Sequence, residues 1–175
     1  MQIKRIKVGE LECNCYILEI DNNVIVIDPG DDKEIINKEI ENKNILAVLI
    51  THNHFDHVGA ISLFDEKLIK DYNSFNEEKY QIGDFKFEVI KTPGHTDDSI
   101  TYYFYEDNVM FTGDFIFKDT IGRTDFSNSN NSDMINSLKK ISEYSNIKIY
   151  PGHGDSTNID LEKVRFDYYI SFLKF

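Results

Sequence analysis

Tryptophan is absent from this 175-residue chain, and cysteine, proline and histidine are scarce, at two, three and five residues. Cys13 and Cys15 sit two apart. They are expected to point to opposite faces of a strand, which makes them poor disulfide partners. A reducing, cytoplasmic setting is therefore the simplest expectation, with each thiol acting as a small buried apolar residue. No stretch approaches the roughly 18 apolar residues of a membrane span. The basic start Met1–Lys7 is not followed by an apolar core of signal-peptide length. Positive charge is also in deficit. Nineteen Lys and Arg face 31 Asp and Glu, a net charge of −12. A field of that sign disfavours nucleic acid and anionic membrane as partners. An anionic small substrate stays open, because a metal or a local basic group can override the global field. No linker, defensible repeat or long low-complexity tract divides the chain, and 41% of it is hydrophobic. One globular domain over 1–175 is expected.

Apolar patterning assigns the elements. Ile3–Val8, Cys15–Ile20 and Val24–Ile27 read as strands, the last two joined by a hairpin at Asp21-Asn22-Asn23. Asp31 or Asp32 can cap a helix through about Asn42, with Ile35, Ile36 and Ile40 on one face. Ile45–Ile50 is a buried-type strand. Phe85–Ile90, Ser99–Tyr105, Val109–Thr112 and Ile147–Tyr150 follow as strands. Ser127–Ser132 reads as a loop, and Ser132 or Asp133 caps a helix through Tyr144. A final helix from Asp160 to about Leu173 carries Leu161, Val164, Tyr168 and Phe172 on one stripe. Two β-rich halves, each with a helix, predict two packed sheets covered by helices.

The chemistry lies at strand ends. His52-Asn53-His54-Phe55-Asp56-His57 spells H-x-H-x-D-H directly after a strand. Four ligand-type side chains in six residues crowd one tetrahedral ion but can serve two adjacent ions, His52 and His54 turned one way, Asp56 and His57 the other. His95 and His153 each stand in Pro-Gly-His, where glycine admits close approach of the backbone and proline stiffens the turn. Asp114 ends Thr112-Gly113-Asp114, and a carboxylate can bridge two cations. All five histidines of the chain fall in such contexts, which points to metal rather than to isolated surface or core histidines.

The set His52, His54, Asp56, His57, His95, Asp114 and His153 resembles the signature of the metallo-β-lactamase superfamily, and Val26-Ile27-Asp28-Pro29-Gly30 looks like its first motif. That resemblance runs from about Asn14 to Gly154. It implies an α+β fold, a four-layer αββα sandwich with metals at one edge. It further implies two divalent ions, most simply zinc, with iron or manganese as alternatives. His52, His54 and His95 would hold the first ion and Asp56, His57 and His153 the second, with Asp114 and a water bridging. Thr112–Phe117 followed by Ile121-Gly122-Arg123-Thr124-Asp125 is similar to the small glyoxalase II-like (hydroxyacylglutathione hydrolase-like) branch. That branch implies metal-dependent hydrolysis of a small thioester or ester, in which hydroxide between the two ions attacks the carbonyl. Asp56 would orient the nucleophile or relay its proton, and Arg123 would hold the carboxylate of an anionic thiol carrier or serve as a surface ion pair.

The chain departs from that branch in four ways. A C-terminal helical domain has no counterpart here. Gly154-Asp155-Ser156 follows His153 where a tyrosine is usual. Leu68–Asp84 is short, and Arg165-Phe166-Asp167-Tyr168 replaces His-Asn-Pro. Asp28 and Thr96 are candidates for supporting the ligands, Asp28 being read first as a turn residue. Two other classes stay open: a mononuclear iron oxygenase similar to the persulfide dioxygenases, using His52, His95 and Asp114, and a metal-binding protein without turnover.

Overall fold

A computed structural model of the chain describes residues 1–174. The chain opens with β1 (Gln2–Val8), β2 (Cys13–Ile20) and β3 (Asn23–Ile27), then α1 (Lys33–Ile40), β4 (Asn44–Leu49), the short helix α2 (Phe55–Val58) and β5 (Ile69–Lys70). It continues with β6 (Lys79–Ile82), β7 (Phe85–Lys91), β8 (Ile100–Phe104), β9 (Val109–Gly113) and the small hairpin β10 (Ile116–Phe117) and β11 (Thr120–Ile121). Then come α3 (Asn131–Ile141), β12 (Lys148–Pro151), β13 (Thr157–Asn158), α4 (Ile159–Glu162) and α5 (Phe166–Phe172). Five strands form one sheet in the order β1-β2-β3-β4-β5, and six form the other in the order β13-β12-β9-β8-β7-β6. None of the described helices is long and apolar enough to cross a membrane.

Strand alternation turns these two sheets into four layers. Tyr16, Leu18, Ile25, Ile27, Ala47 and Leu49 face inward from the first sheet. They meet Phe87, Val89, Tyr102, Phe104 and Phe111 of the second in one buried cluster. On the outer face of the first sheet, Ile17, Val24, Val26 and Val48 pack under Ile36 and Ile40 of α1. On the outer face of the second, Ile90, Met110 and Ile149 pack under Met134, Leu138 and Ile141 of α3 and Phe166 of α5. The αββα sandwich is the expected architecture.

Four local expectations are corrected. Cys13 and Cys15 share a face, since residues two apart in a strand point the same way; both lie in the outer cluster under α1, buried and free. α1 is shorter than expected, and Ile35 is exposed while Ile36 and Ile40 are buried. Asp32 precedes α1 in a left-handed conformation and makes no side-chain cap, its carboxylate accepting from Gly9 N–H instead. α3 is capped by Asn130, whose side chain accepts from Asp133 N–H, two positions before the expected start.

The largest change is at the C-terminus, where the expected single helix is α4, a 3₁₀ turn over Lys163–Arg165, and α5. Leu161, Val164, Tyr168 and Phe172 are exposed, at 63–75%. The sequence holds a second apolar stripe on the other side, and it is Ile159, Phe166 and Leu173 that enter the core. Both stripes have helical spacing, so periodicity alone could not choose between them.

Strand direction places the site. β7 and β9 each run antiparallel to β8, and β9 runs parallel to β12. So β7, β9 and β12 all end at one edge. β3 and β4 are parallel and end facing it. Hydrogen bonds tie the two sheets together there: Asn14 N–H to Gly152 O at 2.7 Å and Ile100 N–H to Thr51 O at 2.8 Å. Tyr16 donates to Pro151 O at 2.6 Å, and Tyr102 to Ile50 O at 2.8 Å. Tyr102→Phe keeps the ring but removes a buried bond across the sheets. It should lower unfolding free energy by about 1–2 kcal/mol, the cost of one buried hydrogen bond, as read by urea denaturation with an unchanged slope. Wild-type stability in that variant would mean that the Tyr102 bond is not part of what holds the sheets together.

Candidate metal centre

Asp28 follows β3, His52 and His54 follow β4, and His95, Asp114 and His153 follow β7, β9 and β12. α2, which the sequence reading left unassigned, starts after His54 and turns the chain so that Asp56 and His57 leave in a different direction from His52 and His54. Backbone proximity is tight throughout. A Cβ on Gly30 would stand 1.8 Å from the Asp56 carbonyl oxygen, so only glycine lets the Asp28-Pro29-Gly30 turn seat α2. A Cβ on Gly152 would stand 2.3 Å from Asp114 Oδ1 and 2.6 Å from a ring carbon of His57. That contact explains the glycine of Pro-Gly-His in the His153 loop.

The seven residues picked out by the sequence come together in two groups. In the first, His54 Nδ1 lies 3.0 Å from His52 Nε2 and 3.1 Å from His95 Nε2. Donor atoms of His52, His54, His95 and Asp114 all lie within 4.8 Å of one another. In the second, Asp56 Oδ2 is 3.2 Å from His153 Nε2 and 3.8 Å from His57 Nε2. Asp114 stands between the groups. Its Oδ1 is 3.3 Å from His57 Nε2, and its Oδ2 is 3.6 Å from both His95 Nε2 and His153 Nε2.

Hydrogen bonds at the back of each ring decide which nitrogen faces inward. His52 Nδ1 meets Thr51 Oγ1 at 3.1 Å, and that hydroxyl itself donates to Asp28 Oδ2 at 2.6 Å. His57 Nδ1 donates to Asp28 Oδ2 at 2.9 Å, His95 Nδ1 to the Arg123 carbonyl at 2.8 Å, and His153 Nδ1 to the Leu11 carbonyl at 3.1 Å. With Nδ1 donating outward, each of these rings turns Nε2 toward the centre, the nitrogen through which a cation would be bound. Two inward atoms, His57 Nε2 and Asp114 Oδ1, are buried without a hydrogen-bond partner. Buried polar atoms are rarely left so, and a cation between them would satisfy both. The donor set fits divalent metal.

Electrostatics agree with that fit. Desolvation, reinforced by His57, pushes the pKa of His52 well below its ordinary value, so the ring is neutral. Burial works against the Asp114 carboxylate, yet the surrounding imidazoles, His57 foremost, hold it well below the ordinary carboxylate range. Desolvation likewise opposes charge on His57, but Asp28 and Asp114 outweigh it and raise its pKa. Metal binding must then displace that proton.

Other residues resolve differently from the sequence reading. Asp28 is both a turn residue, at φ 49°, and a support for His57 and Thr51, its Oδ1 accepting from Thr51 N–H at 2.8 Å. The turn reading was incomplete, because the contact to His57 spans 29 positions. Thr96 bonds Asp98 and Ser99 within its own loop and reaches no candidate ligand. Arg123 lines the cleft over the site, but its guanidinium is exposed and donates twice to Asp125, at 2.5 and 2.7 Å. It also lies 4.5 Å over the Phe126 ring. Cys13 was missed as a neighbour of the site; burial pushes its thiol pKa up to about 11.

An αββα sandwich with a His- and Asp-rich centre at one edge defines a class of metallo-hydrolase folds. The profile described as "Metallo-beta-lactamase superfamily" matches residues 8–72 and 68–153, and the chain belongs to that superfamily. It is 32% identical to a probable metallo-hydrolase of Streptococcus pyogenes serotype M6, over 86% of this chain and 82% of that one. A protein of Haemophilus influenzae named hydroxyacylglutathione hydrolase GloC is 29% identical over 93% and 95% of the two chains. Among solved structures, BLEG-1 B3 metallo-beta-lactamase superposes with a TM-score of 0.88 at 26% identity, covering 96% of this chain and 99% of that one. TTHA1623 in a di-iron-bound form gives 0.80 at 27% identity, covering 91% and 96%.

Asp114→Asn should weaken metal binding at least tenfold and cut turnover by orders of magnitude, since it removes the charge shared by both groups. Asp125→Asn, close in sequence but paired only with Arg123, should leave metal content unchanged. Equal metal loss in the two variants, measured by elemental analysis, would remove Asp114 from the centre.

Proposed function

We propose that the protein hydrolyses a small thioester or ester at a centre of two divalent ions. His52, His54 and His95 would hold one, Asp56, His57 and His153 the other, and Asp114 both. The observation that carries this reading is the convergence of five imidazoles, four anchored through Nδ1, on the Asp114 carboxylate. Two such ions, most simply zinc, with iron or manganese as alternatives, would polarise an acyl carbonyl and bring the pKa of water to about 7.

The chain's own residues supply the rest. Asp56 faces the cleft beside His153, where it can orient the attacking water and accept its proton. Asp114 balances positive charge at the centre. The cleft above has a volume of about 670 Å³ and is walled by Leu11, Phe55, Phe117 and Phe126. These side chains offer an apolar surface for the non-reacting part of a substrate. Among the described residues no lysine or tyrosine lines this cleft to protonate a poor leaving group. A thiolate, whose conjugate acid has a pKa near ~8.5, departs without one, which favours thioesters over amides. The hydroxyacylglutathione hydrolase name of one relative supports the same choice.

Reconstituted protein should contain two ions per chain and, on the same sample, cleave thioesters in preference to lactones, β-lactams and phosphodiesters. A content that never exceeds one ion, together with oxygen uptake on a persulfide, would replace this reading with the mononuclear oxygenase.

Arg123 is the proposed contact for a carboxylate on the thiol carrier. Its guanidinium already serves Asp125, so the effect should sit at the low end for a charged contact. Arg123→Ala should reduce kcat/KM for carboxylate-bearing thioesters by roughly tenfold and leave neutral esters of the same acyl group nearly unchanged. Equal loss on both, with metal retained, would make Arg123 an organiser of its loop, whose carbonyl anchors His95.

A further inference from the structure

Beside the two His- and Asp-built groups one nearby donor remains unused. Cys13 begins β2, and its neighbour Asn14 is bound to the His153 loop by three hydrogen bonds. Asn14 N–H donates to Gly152 O at 2.7 Å, and its side-chain amide donates to Pro151 O at 3.0 Å and Gly154 O at 2.9 Å. This clamp holds the start of β2 against the loop that carries His153. As a result, Cys13 Sγ, one nitrogen of His57 and one nitrogen of His153 all lie within 4.8 Å of one another. His57 Nε2 is buried without a partner, and the Cys13 side chain is itself fully buried. Cys15, on the same strand face, belongs to no such group among the described residues.

We propose that Cys13 is a sulfur ligand of the ion held by His57 and His153, a donor additional to Asp56 and Asp114. The inference rests on the metal-centre reading above. Coordination forms a metal–sulfur bond, and the thiol proton leaves to solvent, as ligation of a cysteine requires. The two ions then sit in unlike surroundings. One is bound by nitrogen and oxygen alone, and the other also by a soft thiolate, which selects zinc or iron over manganese or magnesium at that position.

Cobalt(II) reconstitution tests this without any substrate. Wild-type protein should show visible d–d absorption and, as the second equivalent binds, an intense near-ultraviolet thiolate-to-cobalt band. Cys13→Ser should lose the near-ultraviolet band while keeping visible absorption from the first equivalent, and Cys15→Ser should keep both. X-ray absorption of the wild-type zinc form needs no variant and should detect sulfur at about 2.3 Å, with one sulfur shared over two zinc ions. Visible absorption without the charge-transfer band, or a zinc shell of nitrogen and oxygen only, overturns the sulfur ligand and leaves the metal centre standing. A band that survives in Cys13→Ser and disappears in Cys15→Ser also overturns it. Absence of any cobalt binding overturns both readings.

Discussion

Hydrogen bonds between the two sheets at one edge govern the geometry of the centre. Asn14 and Tyr16 of the first sheet hold the Pro151-Gly152 segment of the second, while Ile100 and Tyr102 of the second hold Thr51 and Ile50 of the first. Each sheet contributes part of the donor set: His52, His54, Asp56 and His57 come from the first half, and His95, Asp114 and His153 from the second. A slip of one sheet against the other would separate the two parts. The aromatic interior makes such a slip costly, because Tyr16 packs edge-on against Phe111 and Phe87 against Tyr102, and large rings in a close-packed core have few alternative positions.

The same edge solves an electrostatic problem. Five imidazoles packed together need their rings correctly oriented, and each solution is local to one ring. Thr51, Asp28 and the carbonyls of Arg123 and Leu11 take the Nδ1 protons of four rings. Asp114 supplies the compensating negative charge at the middle. The chain's net charge of −12 therefore says little about the centre, where the field comes from a few fixed neighbours rather than from the distant surface.

Exposed apolar side chains fall mainly in two places, and their contexts differ. Leu11, Phe55 and Phe126 surround the mouth of the cleft, with the Phe126 ring edge-on to His54 and His95. Leu161, Val164, Tyr168 and Phe172 lie on the outer side of α4 and α5. The first set borders the candidate metal centre. The second is the unused half of a helix segment with two apolar stripes.

Short-range pattern alone made the longer strands and two helix-covered sheets legible and singled out the seven candidate donor residues. Alternation sets strand faces, and H-x-H-x-D-H places four donors within six positions. Tertiary structure decided everything that depends on contacts between distant segments. It brought His95, Asp114 and His153 to one edge through the shared direction of β7, β9 and β12, and it joined Asp28 to His57. It set the Arg123 carbonyl on His95 Nδ1, 28 positions away. It chose Ile159, Phe166 and Leu173 over the rival stripe, since only the shape of the neighbouring sheet distinguishes two faces of equal periodicity. It also set Cys13 beside His57 and His153, an approach fixed by the Asn14 clamp and invisible in a linear pattern where the three residues are up to 140 positions apart.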